Sequence, residues 1–245
     1  NFVLGICDCE PSWTMERYLE SSCAAIREQV GDRSVFLLAS GGVDSTVAAR
    51  LLGEALGPDR LHLLHIDNGL MRKDESAGVI AEFTAMGLDR NLHFVDASDT
   101  FLDALGDATE PEHKRAIIGN TFIEIFEREA ARLGIADHLL GQGTIYPDTI
   151  ETGGTKRADT IKTHHNRVDL VERMIADGRV VAPLAQLYKV EVRELGERLG
   201  IARDALGRHP CPGPGLGVRT LRSGVGEDRP GVDTPAPHLA ALAAQ

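Results

Sequence analysis

The chain has 245 residues, of which 42% are hydrophobic, and this suits one large core or a core with a smaller appendage. Its formal net charge of −11 argues against a surface that binds nucleic acid by neutralising phosphates. No apolar stretch approaches the roughly 20 residues that span a bilayer, and the start lacks the basic region of a signal peptide. The 4 cysteines are irregularly spaced, as in proteins of a reducing compartment. We therefore expect a cytoplasmic protein that binds neither membranes nor nucleic acid.

The first part of the chain predicts strands that alternate with helices. The predicted strands are Val35–Ala39, Leu61–Ile66, Leu92–Val95 and His138–Leu140, and the predicted helices are Val43–Leu56, Asp74–Met86 and Glu112–Leu133. Each strand is nearly all apolar, which is typical of a parallel sheet covered on both faces. The expected fold class is therefore α/β, a doubly wound, mostly parallel sheet with helices on both faces.

The second part of the chain predicts less regular structure. Residues Ile145 to Asn166 have no periodicity and contain glycines, so we expect a mobile loop that acts as a lid. Helices are predicted near Asp169–Ala176 and over Val190–Leu199, with the apolar pair Val180-Val181 between them. The tail after Arg219 is rich in Gly, Pro and Ala, which predicts poor order.

A run of small and hydroxylated residues lies where the first predicted strand leads into the first helix. It reads Ser40-Gly41-Gly42-Val43-Asp44-Ser45-Thr46. The start of a helix offers unpaired N–H groups and the positive end of the helix dipole, which favour phosphate. Two further polar sets, Asp67-Asn68 and Gly141 to Thr144, also follow strands, and ligands of parallel sheets bind beyond such strand ends. A plain capped turn is the alternative, but it needs only one glycine and one capping residue.

Asp44 adds a metal to this prediction. A carboxylate beside a bound phosphate would repel it unless a cation lay between them, so Asp44 predicts Mg²⁺. The run is not a Walker A loop, because no Gly-Lys-Ser/Thr follows, and it contains no Gly-x-Gly-x-x-Gly dinucleotide fingerprint.

The run from Ser40 to Thr46 resembles the signature of the N-type ATP pyrophosphatases, the PP-loop superfamily. That resemblance implies an adenine nucleotide α-hydrolase-like fold and cleavage of ATP between its α- and β-phosphates, with AMP passed to a substrate oxygen. Five further stretches are similar, in the same order, to the GMP synthetase family: His65–Arg72, Lys114–Phe122, Gly141–Asp148, Ile161–Asn166 and Arg208–Leu216.

The resemblance also implies roles for single residues. ATP would be bound by Ser40, Gly41, Gly42, Val43, Asp44, Ser45, Thr46, Ile66, Asp67, Gly141 and Gly143. The carboxylates of Asp44 and Asp148 would ligate Mg²⁺. Lys162 would join Asp44 as a catalytic residue by neutralising charge at the α-phosphate, with Lys156 as a weaker candidate. The xanthosine 5'-monophosphate (XMP) contacts would be Arg115, His164 and His165, although Arg115 has an exposed helix charge as its alternative.

Amination of XMP to GMP is the activity that the resemblance implies, through an adenylyl-XMP intermediate and with release of AMP and pyrophosphate. The implied partners are the substrates ATP, XMP and ammonia, a glutamine amidotransferase domain or subunit, and a second copy in a full-length homodimer. Residues 1–15 would be a connector from the amidotransferase domain, 16–219 the ATP pyrophosphatase domain, and 220–245 a tail or the start of a dimerisation domain.

Two alternatives remain open at this point. The first is an adenylating amidotransferase or thiolase of the same superfamily that acts on another acceptor. The second is a non-catalytic nucleotide-binding module, which would bind ATP without turning it over.

Overall fold

The computed structural model describes residues 2–9, 13–134, 137–148, 174, 176–207 and 216–217. Its strands are β1 Val35–Leu38, β2 Leu61–Asp67, β3 Leu92–Asp96, β4 Leu139–Gly141 and β5 Val180–Val181. Its helices are α1 Met15–Val30, α2 Val43–Leu56, α3 Glu75–Ala85, α4 Ser98–Leu105, α5 Pro111–Arg132, α6 Lys189–Arg198 and α7 Arg203–Leu206. Within these residues, no helix is long and apolar enough to cross a membrane.

The five strands form one sheet in the order β3-β2-β1-β4-β5, and every neighbouring pair is parallel. This confirms the predicted α/β fold class. The chain leaves β1 towards β2 and later returns to β4 on the other side of β1. The topological switch point therefore lies between β1 and β4, which is where ligands of open parallel sheets bind.

Alternating side chains of the strands build a core on each face of the sheet. On β1, Val35 and Leu37 belong to the cluster that contains the buried residues of α1, α2 and α6. Phe36 belongs to the opposite cluster, with Phe101 of α4 and Ile118 of α5. Both faces are thus covered, which explains why the strands are apolar on both sides.

Glycines set both ends of α2. Gly42 is its N-cap residue, and Gly57 ends it with a φ of 78° and an N–H that donates to Gly53 O at 2.9 Å. A φ in this range favours glycine, because other residues meet a steric penalty there. The start of α2 thus lies directly after the end of β1, as the phosphate-loop prediction requires.

Most predicted elements are confirmed within one or two residues, but three helices were not predicted. The helix α1 lies in a stretch that was given no secondary structure, and α4 lies between the third predicted strand and the long helix. The short helix α7 lies after the last predicted helix. The predicted lid is described only as far as Asp148, and of the predicted helix near Asp169–Ala176 only residues 174 and 176 are described, both helical. The predicted tail lies outside the described residues.

Candidate functional site

The loop after β1 is closed by its own hydroxyl groups. The hydroxyls of Ser40 and Ser45 lie 3.0 Å apart, and Ser45 Oγ donates to Gly42 O at 2.9 Å. Ser45 and Thr46 are buried, so the two side chains shape the inside of the loop. The first N–H groups of α2 have no acceptor within the helix and lie at the carboxyl edge of the sheet. The loop therefore has the form of an anion site.

Gly41 is required by both conformation and space. Its φ is 75°, and a Cβ at this position would lie 2.4 Å from Cγ2 of Val79 on α3. Any other residue would force the side chain of Val79 to shift, so α3 packs closely against the loop at this point.

Asp44, in the first turn of α2, forms an ion pair with Lys189, the first residue of α6. Lys189 Nζ donates to both carboxylate oxygens of Asp44, at 2.7 Å each. Both side chains are about one-third exposed, 36% for Lys189 and 30% for Asp44, so the pair lies at the surface of the site. The expectation that only a metal would balance Asp44 therefore needs revision, because an ammonium group already does so.

Lys189 is a site residue that the sequence analysis missed. Its connection to Asp44 spans 145 residues and leaves no local pattern. One signal was available: Lys189 begins a helix directly after the strand pair Val180-Val181 and a short turn, which places it at the same sheet edge as the loop.

Gly143 brings the end of β4 against the loop. A Cβ on Gly143 would lie 3.1 Å from Asp44 C and 3.1 Å from Ser45 N. Gly141 serves a different purpose, since a Cβ there would meet Val35 and Leu52 in the core at 3.0 and 3.2 Å. Of the two predicted glycines, Gly143 is thus the one whose bare backbone touches the phosphate loop.

An apolar pocket of about 310 Å³ opens beside Gly143. It lies between the carboxyl ends of β1 and β4 and the face of α5. Its lining is almost entirely hydrophobic or glycine and includes Leu38, Phe122, Phe126, Leu140 and Thr144. The pocket and the phosphate loop meet at the topological switch point of the sheet.

Asp67, at the end of β2, is held by two hydrogen bonds. Its Oδ1 accepts from the N–H of Gly69 at 2.8 Å, and its Oδ2 accepts from the hydroxyl of Ser76 at 2.6 Å. The side chain of Ile66 is buried in the core cluster with α4 and α5, so only its backbone faces the sheet edge. Both residues lie on β2, the strand next to β1.

The other predicted site residues lie after β4, on α5 and outside the described residues. Asp148 lies in a helical turn after β4, where its Oδ2 accepts from the N–H of Ile145 at 3.1 Å. Arg115, on the second turn of α5, is exposed and forms an ion pair with Glu112. Lys162, His164 and His165 lie outside the described residues, as does Lys156.

A scan against models of protein families matched none to this chain. Curated proteins do match it. GMP synthase [glutamine-hydrolyzing] of Kluyveromyces lactis is 49% identical over 227 residues, which cover 90% of this chain and 43% of that protein. The protein of the same name from Cupriavidus necator is 50% identical over 222 residues, which cover 90% of this chain and 40% of that protein. The chain thus spans about two fifths of the length of these relatives.

Solved structures with the same fold are more distant in sequence. The NMN synthetase from Francisella tularensis has a TM-score of 0.60 at 15% identity, over 84% of this chain and 79% of that one. The NAD+ synthetase from Burkholderia pseudomallei has a TM-score of 0.55 at 20% identity, over 82% of this chain and 73% of that one. These likenesses concern the fold, whereas the identity of about 50% establishes common descent. The chain therefore belongs to the GMP synthase family and corresponds to a part of those proteins.

Proposed function

We propose that this chain is the ATP pyrophosphatase, or synthetase, part of a GMP synthase and that it adenylates XMP. One observation carries the proposal: the loop after β1 adjoins an apolar pocket at the topological switch point of the sheet. The loop contains glycines that allow close approach, and it carries the ion pair of Asp44 with Lys189. A triphosphate with an aromatic base has the matching chemistry. The kinship with GMP synthases supports XMP as the acceptor.

The apolar pocket is proposed to hold the adenine ring. Its volume of about 310 Å³ is at the lower end of the range for ligand pockets. The aromatic side chains of Phe122 and Phe126 line one wall, where they can pack against a purine. From there the ribose would extend past Gly143 and bring the phosphates to the start of α2.

The phosphates are proposed to bind at the amino end of α2. Backbone N–H groups of the first turn donate to phosphate oxygens, and Gly41 and Gly143 allow the chain to approach closely. Lys189 adds a positive charge within reach of the loop. Fixed donors of this kind stabilise the charge that develops on the α-phosphate during transfer.

The donor set also fits a magnesium ion. Mg²⁺ usually takes one or two carboxylates together with phosphate oxygens and water. Asp44 and Asp148 follow the adjacent strands β1 and β4. The carboxylate of Asp44 already pairs with a positive group, the ammonium of Lys189. We therefore propose that these two residues hold Mg²⁺, which when bound would neutralise phosphate charge.

The proposed reaction has two steps. First, O2 of XMP attacks the α-phosphorus of ATP, and the bond to the β-phosphate oxygen breaks to release pyrophosphate. Ammonia then attacks C2 of the adenylyl-XMP intermediate, loses a proton, and expels AMP to give GMP. A carbonyl oxygen is a poor leaving group whereas a nucleotide phosphate is a good one. The chain therefore acts by alignment and charge neutralisation, without a covalent nucleophile of its own.

The same proposal includes roles that lie partly outside the described residues. Lys162 would neutralise the α-phosphate, and Arg115, His164 and His165 would contact XMP. Ammonia would come from a glutamine amidotransferase domain or subunit, and the full-length protein would be a cytoplasmic homodimer. The proposed domain limits stay at 1–15, 16–219 and 220–245; the start of α1 at Met15 supports the first of them.

Product analysis of the full-length protein tests this function. The protein is incubated with MgATP, ammonium and XMP, and GMP, AMP and pyrophosphate are measured. We expect the three products in equal amounts and no AMP when XMP is left out. AMP formation that ignores XMP would indicate another acceptor, and ATP binding without turnover would indicate a non-catalytic module.

A further inference from the structure

We propose that His65 is a positioning residue, which acts through Ser76 and Asp67 to hold the phosphate loop and the end of β2 in place for the nucleotide. The inference rests on the proposed nucleotide function of the loop. It concerns a residue that has no part in the reaction derived above. His65 lies on β2, one strand away from the loop, and is 0% exposed.

A continuous series of short hydrogen-bonding contacts, here called the hydrogen-bonded chain, runs through His65. Its Nδ1 lies 2.7 Å from Ala39 O, and its Nε2 lies 3.0 Å from Ser76 Oγ. Ser76 Oγ lies 2.6 Å from Asp67 Oδ2. The hydrogen-bonded chain therefore joins three segments of the site: the residue before the phosphate loop, the end of β2, and the first turn of α3.

The acceptor at one end of this hydrogen-bonded chain fixes the tautomer of His65. Ala39 O can only accept, so Nδ1 of His65 must carry a proton. Ser76 Oγ lies between Nε2 of His65 and Oδ2 of Asp67 and joins the ring to the carboxyl group. The ring is therefore held at both nitrogens, by Ala39 O and by Ser76 Oγ.

Neighbouring groups hold both ends of this hydrogen-bonded chain. The ring of His65 stacks on Phe94 with 6.0 Å between ring centroids and 22° between planes. The second oxygen of Asp67 accepts from the N–H of Gly69 at 2.8 Å. A buried polar ring is tolerated when its nitrogens are hydrogen-bonded in this way.

The hydrogen-bonded chain links the phosphate loop to α3. Both backbone groups of Ala39 are engaged, because its N–H donates to Leu64 O at 2.8 Å and its carbonyl accepts from His65. On the same helix, Val79 packs against Gly41. Ser76 thus holds Ala39 through His65, and Val79 contacts Gly41 directly. Loss of the Ser76 hydroxyl should release one of these two supports.

Substitutions at Ser76 in the full-length protein test the positioning role. We expect Ser76→Ala to weaken binding of α,β-methylene-ATP about tenfold, the equivalent of roughly 1.4 kcal/mol, and Ser76→Thr to restore it. The KM for XMP should stay unchanged, which a general loss of structure would not allow. Thr84→Ala is the matched control, since Thr84 is an exposed hydroxyl on the same helix that donates to Ile80 O at 2.9 Å.

The outcomes separate this inference from the function on which it rests. Equal affinity of Ser76→Ala and the wild type would overturn the positioning role. No binding of the ATP analogue by the wild type would overturn the nucleotide function instead. In that case ¹⁵N NMR of the His65 ring, assigned with a His65→Gln variant, still decides the hydrogen-bonded chain. A proton on Nδ1 supports it, and a ring that carries its only proton on Nε2 contradicts it.

Discussion

Lys189 and Asp44 are both charged residues in the first turn of a helix, but only the charge of Asp44 is favourable there. A carboxylate is stabilised in the first turn of a helix, whereas an ammonium group at the same place faces the positive end of the dipole. Lys189 begins α6 and Asp44 lies in the first turn of α2. The position of Lys189 is therefore explained by its pairing with Asp44, and not by the stability of α6.

Replacing the ammonium group tests this interpretation. We expect Lys189→Met in the full-length protein to lower the rate of AMP formation roughly 100-fold, because one fixed donor to the developing charge is lost. The free energy of unfolding should change by less than about 1 kcal/mol, since the ion pair is partly exposed. Arg193→Met, which removes a charge from the exposed side of the same helix, is the control and should keep the full rate. Equal rates for the two variants would contradict the assignment.

Asp44 gives a second prediction at the scale of one residue. Asp44→Ala should lose ATP-dependent AMP formation while the fold survives, because a partly exposed side chain contributes little to the core. Circular dichroism would report the fold and nucleotide chromatography the AMP. A variant that retains the wild-type rate would refute the role of Asp44 at the phosphates.

At the scale of elements, the site depends on how closely β4 approaches α2. Gly143→Ala would place a methyl group 3.1 Å from backbone atoms of Asp44 and Ser45, which cannot move aside as a flexible side chain can. We expect a loss of stability of about 1–3 kcal/mol and weaker binding of ATP. Gly78→Ala is the control, because a Cβ there meets nothing within 4 Å and lies in the interior of α3. In urea denaturation the control should be neutral or more stable by up to about 1 kcal/mol; a destabilised control and an unaffected Gly143→Ala would reverse the expectation.

The sheet and the loop could be predicted from the sequence because their signals are local. The apolar run from Val35, the glycines after it and the helical spacing from Val43 all lie within about twenty residues. The helix α1 was missed although its buried residues recur at helical spacing, because polar and charged residues between them make the segment polar as a whole. The helix α4 has 8 residues and buries only Phe101, too few for a periodic pattern.

The contacts within the site could not be predicted in the same way. The pairing of Lys189 with Asp44, and the chain from Ala39 through His65 and Ser76, arise when distant segments meet at one sheet edge. The types of these residues allow many other partners. Only the fold selects the partners that are observed.

At the scale of the whole molecule, the opposite edge of the sheet carries a cluster of three histidines. The Nδ1 of His62 lies 3.5 Å from Nε2 of His93, and the rings of His62 and His138 have centroids 5.0 Å apart. Burial lowers the pKa of all three below its ordinary value, and for His93 the charges of His62 and Arg132 lower it further while Glu129 raises it. The fold therefore favours the neutral form of these rings.

This cluster predicts how stability depends on pH. Below the ordinary histidine pKa of about 6.5 the unfolded chain binds more protons than the folded chain does, so acid favours unfolding. The free energy of unfolding should be largest above pH 6.5 and should fall as the pH decreases towards the lowered pKa values. Urea denaturation at pH 7.5 and at pH 5.5 measures this, and His62→Gln should lessen the difference. A difference that is the same in wild type and variant would place the effect elsewhere.

The proposed reaction of the whole molecule transfers AMP to an oxygen of the acceptor, and an isotope label tests this transfer most directly. XMP labelled with ¹⁸O at O2 is converted by the full-length protein with ATP and ammonia, and the products are analysed by mass spectrometry. Each GMP formed should be matched by one AMP that carries the label in its phosphate. Unlabelled AMP, with the ¹⁸O found in water, pyrophosphate or GMP, would contradict it.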